Sequence, residues 1–100
     1  MVQYNDYPTV IDYGTYFKVP FNIKQIEFGY EAETIDVIIF TREELIKSLI
    51  KRKYSLDDEI AILNNKNTGE VKYINGYEEY QQYRTTCKTL ANTIYDNISA

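Results

Sequence analysis

The chain contains no His and no Trp, and only one Cys and two Pro in 100 residues. Each absence excludes a class of chemistry. Without His, the commonest general base, metal ligand and pH switch are missing. A triad built on a His base cannot be assembled. One cysteine, Cys87, can close neither an internal disulfide nor a zinc site, so nothing ties the chain to an oxidising compartment. The four Gly are isolated, which leaves no Gly-rich phosphate loop. Asn64 to Gly69 is rich in oxygen ligands but lacks the alternating acids and terminal Glu of a calcium loop.

Basic charge is also scarce. There are 11 basic and 15 acidic residues, a net charge of −4. Residues 1–50 hold four basic and eight acidic residues and residues 51–100 seven of each, so the deficit sits in the N-terminal half. That is not the cationic footprint of a nucleic-acid-binding protein. The longest apolar run, Ile35 to Phe40, is interrupted by Asp36 and is too short to span a bilayer. Met1 to Pro8 shows no basic region followed by an apolar stretch, so no signal peptide is expected. The paired carboxylates Glu31/Glu33, Glu43/Glu44, Asp57/Asp58 and Glu78/Glu79 fall on solvated strands or helix first turns. The expectation is a protein that is not an enzyme, with no cofactor, metal, nucleic acid or membrane partner, resident in a cytoplasm.

What is present is tyrosine. Eleven Tyr accompany four Phe, within 44% hydrophobic residues overall. That apolar fraction suffices for one globular domain and argues against disorder. Tyr combines an apolar body with a polar tip, which suits half-buried surfaces and interfaces.

Residues 1–15 are punctuated by Asn5, Asp6, Pro8, Asp12 and Gly14, and read as an extended arm with a short strand near Thr9 to Tyr13. From Tyr16 the period becomes two. Phe17, Val19, Phe21 and Ile23 alternate with Lys18, Pro20 and Asn22. Pro20 lacks an N–H, so this strand should lie at an edge or bulge there. The phase slips after Ile23, which predicts a bulge near Lys24-Gln25. Gly29 marks a turn. Glu31 to Phe40 then reads as a second strand with Ile35, Val37 and Ile39 on one face and Glu31, Glu33 and Asp36 on the outer side. A β-hairpin over about 16–40 follows.

Thr41-Arg-Glu-Glu44 is a capping box, and Leu45, Ile46, Leu49 and Ile50 follow at helical spacing, so a helix runs over about 42–53. Lys51-Arg52-Lys53 complements its C-terminal dipole. Ser55-Leu-Asp-Asp58 caps a second helix, about 56–64, with the stripe Leu56, Ile60 and Leu63. Val71 to Ile74 reads as a short strand or extended link, and Asn75-Gly76 as a turn. A long helix over about 77–97 carries Tyr80, Tyr83, Cys87, Leu90 and Ile94 at spacings of three and four. Cys87, inside that stripe, is expected to be a buried, inert thiol. The fold class is α+β: an arm (1–15), then a single domain (16–100) in which the hairpin packs on three helices.

The stretch Leu45 to Leu63, with its Arg52, Tyr54, Ser55, Leu56, Asp58, Glu59, Ile60, Ala61, Ile62 and Leu63, is followed by Tyr80 and by Cys87 to Ala91. This arrangement resembles small uncharacterised virion or tail-associated proteins of bacteriophages infecting gut bacteria. Tyr7 to Phe21 resembles such proteins too. The resemblance implies a phage structural or assembly protein, in the virion or the cytoplasm of the infected cell, whose partners are other phage structural proteins or itself, a homo-oligomer included. On that reading it docks on a tail or neck component through Tyr4, Tyr7, Tyr13 and Tyr16. A second reading is a small acidic inhibitor that binds a host defence protein through Glu31, Glu33 and Asp36, with salt-sensitive affinity. A third is a small-ligand binder with a Tyr-lined pocket.

Overall fold

Alternation from Phe17 onward builds the centre of an antiparallel sheet. The computed structural model describes residues 1–99, with side chains as far as Ile98. Strands β1 (Val2–Tyr4), β2 (Ile11–Asp12), β3 (Phe17–Ile26) and β4 (Gly29–Val37) precede helices α1 (Arg42–Lys51), α2 (Leu56–Asn65) and α3 (Val71–Ser99), with a 3₁₀ turn at Lys66–Thr68 before α3. The strands lie in the order β1-β4-β3-β2, all antiparallel. The class is α+β.

The β3–β4 hairpin pairs Phe17 with Val37, Val19 with Ile35 and Phe21 with Glu33. Phe17, Val19, Phe21, Ile35 and Val37 thereby share the face that meets the helices. The bulge lies at Asn22-Ile23, before the predicted Lys24-Gln25, because pairing resumes at Lys24 and Glu31. Asn22 adopts φ 50°, and Asn is among the few non-Gly residues that tolerate this left-handed conformation. Pro20 sits where its missing N–H does least harm. β2 pairs only with Phe17 and Lys18, so β3 has no neighbour on that side from Val19 onward.

β4 ends at Val37, three residues before the expected Phe40. Ile39 therefore leaves the sheet and is 60% exposed instead of extending the Ile35/Val37 face. The short link 38–41 turns the chain into α1, and Phe40 stacks on Tyr95 of α3 with ring centroids 5.3 Å apart.

Residues 1–15 supply both edge strands. β1 pairs with β4 and β2 with β3, so residues 5–10 cross from one edge to the other. Tyr7 meets Tyr30 edge-on at 5.4 Å, and Pro8, Pro20 and Ala32 are buried. Tyr30, Pro20 and Ala32 have the opposite parity to the core face, so Tyr7 and Pro8 cover the side of the sheet away from the helices, while Val10 comes round the edge beside β3 to pack on the core.

Thr41 Oγ1 accepts from the Glu44 N–H and caps α1. Glu44 turns to Lys47 instead of completing a capping box. At Ser55 the box is complete, since Ser55 Oγ accepts from Asp58 N–H and Asp58 Oδ2 accepts from Ser55 N–H. Leu45, Leu49 and Ile50 of α1 join Tyr80, Cys87, Ala91 and Ile94 of α3 against the sheet to form the core. Burying each of the aliphatic chains contributes about 1.5–3 kcal/mol.

α3 begins six residues earlier than predicted. Val71 to Ile74 is helical, as is Asn75-Gly76. Tyr73 and Tyr77 prolong the three-and-four spacing of Tyr80, Tyr83 and Cys87 upstream, and that period overrides the local turn signal. The 29-residue helix runs about 43 Å at 1.5 Å per residue. Extents of 51 × 31 × 22 Å reflect it. The radius of gyration, 16.3 Å, exceeds the roughly 13 Å of a compact domain of this length. The excess comes from α2 and the first turns of α3. α2 has no buried residue, and the buried positions of α3 begin at Tyr80.

Candidate interaction surface

α2 is amphipathic in an unexpected direction. Leu56, Ile60 and Leu63, at spacings of four and three, lie on one face and are 61%, 48% and 42% exposed. The side chains that hold α2 to the body are others. Ile62 packs on the core, and Glu59 accepts a hydrogen bond from the Tyr80 hydroxyl. Ile62 stands about 100° around the helix from Leu63. The stripe that predicts the helix is thus not the stripe that anchors it. An apolar position off the stripe, Ile62, was the signal that α2 has two apolar sides. Asp57, Asp58 and Glu59 crowd the first turn of α2 and place negative charge at one end of the stripe.

The junction beneath α2 is aromatic. Tyr54 meets Tyr80 edge-on at 5.1 Å and lies 5.6 Å from Tyr83, and Lys53 Nζ stands over the Tyr54 and Tyr83 rings. Burial, together with the Glu59 acceptor, pushes the Tyr80 phenol up to about 12. Burial raises Tyr83, whose hydroxyl donates to the Leu49 carbonyl at 3.1 Å. Burial likewise raises the Cys87 thiol, which leaves it in the less reactive protonated form.

The tyrosines singled out in the N-terminal segment fall into two places. Tyr4 lies on β1 opposite Tyr30, and Tyr7 stands on the Tyr30 ring. Tyr13 and Tyr16 stack at 5.0 Å beyond β2, where Tyr13 N–H donates to the Tyr16 carbonyl at 2.9 Å. Tyr7 and Tyr13 are exposed, and Tyr4 and Tyr16 half-buried. The four therefore do not converge on one patch.

The three hairpin acids divide as well. Glu33 shares a face with Phe21, on the helix side and not the outer side. It accepts from Asn22 Nδ2 at 2.6 Å and pairs with Arg52 at 2.5 Å, while the Arg52 guanidinium lies over the Phe21 ring. Asn22 first, then Arg52, hold its carboxyl below the usual range. Asp36 has the opposite parity and is exposed, and its backbone carbonyl accepts from Ser48 Oγ. Glu31 pairs across the hairpin with Lys24 and across β1 with Gln3.

A cleft of about 660 Å³ lies at the other end of the molecule, between the crossing segment Tyr7–Val10 and the last turns of α3. Among the described residues, no group of three or more Cys, Asp or Glu side chains is placed to hold a metal ion, and no helix is long and apolar enough to cross a membrane. No family model matches the chain, and no curated protein or solved structure matches it.

Proposed function

We propose that this chain is a non-enzymatic structural or assembly protein of a bacteriophage particle, docking on a tail or neck component. The observation that carries the docking is the bare stripe Leu56, Ile60 and Leu63 on the side of α2 turned from the core. A helix whose apolar face meets water has a reason to meet another protein. The elongated shape supports a projecting attachment. The phage context rests on the resemblance of Leu45–Leu63 and Cys87–Ala91 to virion-associated proteins. An inhibitor acting through Glu31, Glu33 and Asp36 is less favoured, since Glu33 is engaged by Arg52 and Asp36 faces the other way.

Mass spectrometry of purified particles tests the proposal. The protein is expected at a fixed copy number. The triple variant Leu56→Gln, Ile60→Gln, Leu63→Gln is expected to fold and to be missing from particles. Absence of the native protein from both particles and assembly intermediates overturns the reading.

A further inference from the structure

We infer that the cleft between the crossing segment and the end of α3 is a binding site for a small neutral molecule, mostly apolar. This stands independently of the docking role of α2. The volume, about 660 Å³, lies within the range of small-ligand sites. Its walls are apolar: Pro8, Val10, Ile23, Leu90, Ile94 and Ile98. No charged side chain lines it, although 26% of the chain is charged, so a charged ligand would be desolvated there without a counter-charge.

The polar side chains at the cleft, Tyr7, Thr9, Asn22, Thr93 and Asn97, are all neutral, and two of them keep an oxygen that can accept. Asn22 is held at the β-bulge in a left-handed conformation, a device that re-aims a side chain. Its amide N–H₂ faces the Glu33 carboxylate, which leaves the Asn22 carbonyl oxygen free to accept. Thr93 Oγ1 spends its proton on the Thr89 carbonyl at 3.1 Å and can otherwise only accept. A ligand that offers a donor satisfies either oxygen.

Amide chemical-shift mapping of the full chain with 2-naphthol, 2-naphthoate and 2-methoxynaphthalene tests this. 2-Naphthol is expected to saturate with Kd near or below about 1 mM, shifting Thr9, Asn22, Ile23, Thr93 and Asn97. 2-Naphthoate, which brings a charge, is expected to bind at least about tenfold more weakly, and the neutral methyl ether comparably to 2-naphthol. Thr93→Trp and Thr9→Trp, both at exposed positions, are expected to fill the cleft, to keep the native circular dichroism and to abolish the shifts. Overturning results are a lack of saturation, equal binding of the carboxylate, shifts confined to α2, or binding undiminished in either folded Trp variant.

Discussion

Gly29 lies against the carbonyl of Tyr4: a Cβ at Gly29 would stand 2.1 Å from the Tyr4 oxygen. Its φ of 134° is also a conformation that L side chains rarely adopt. This glycine lets β1 close on the hairpin.

Gly29→Ala should therefore loosen β1 selectively. A loss of about 1–3 kcal/mol in chemical unfolding is expected. Amide exchange should accelerate first at Val2–Tyr4, with the α1–α3 core still protected. Uniform acceleration across the chain would contradict a local role.

Gly76 is the opposite case. It lies inside α3 with ordinary helical φ, and a Cβ there would meet nothing within 4 Å. Gly76→Ala should stabilise the protein by about 0.5–1 kcal/mol, because Ala restricts the unfolded chain and favours the helix. Thermal unfolding of the variant checks this.

Glu33 links stability to acid pH. Its folded pKa is below 4.5, so its contribution is complete above pH 4.5 and is lost as pH falls through the lower folded value. Glu33→Gln should flatten that limb of the stability profile while leaving its slope above pH 6 unaltered. Urea midpoints from pH 2 to 7 report the difference.

The Tyr80 phenol acts at the alkaline end. Its pKa rises from 10.0 to about 12, so the folded state holds the proton longer than the unfolded chain. Stability from this group is full below pH 10 and declines as pH rises toward 12. Ultraviolet titration should show late phenols, of which the one near 12 disappears in Tyr80→Phe while Tyr83 still titrates late. If every tyrosine ionises together near pH 10, the buried Tyr80–Glu59 contact is absent in solution.

Much of the architecture is legible locally. Period-two alternation from Phe17, the caps at Thr41 and Ser55, and the stripe through Tyr80, Cys87 and Ile94 depend on neighbours within a few residues. The Asn75-Gly76 signal misleads because a local turn preference worth about 1 kcal/mol competes with packing along a whole helix face. Neither candidate surface is legible in the same way. The cleft joins residues 7–10 to residues 90–98, and no local period connects segments so far apart. The stripe on α2 is visible, but its exposure depends on which side of α2 meets α3.

By itself, then, the sequence determined the inventory and the local geometry: no His base, one thiol, an α+β alternation and capped helices. Those follow from side-chain chemistry and short-range backbone preference. Tertiary structure decided the rest. It placed β1 and β2 on opposite edges, turned Glu33 toward Arg52, and left Leu56, Ile60 and Leu63 in water. Burial is a property of the assembled chain, and a periodic pattern records only that a face is apolar, not what covers it.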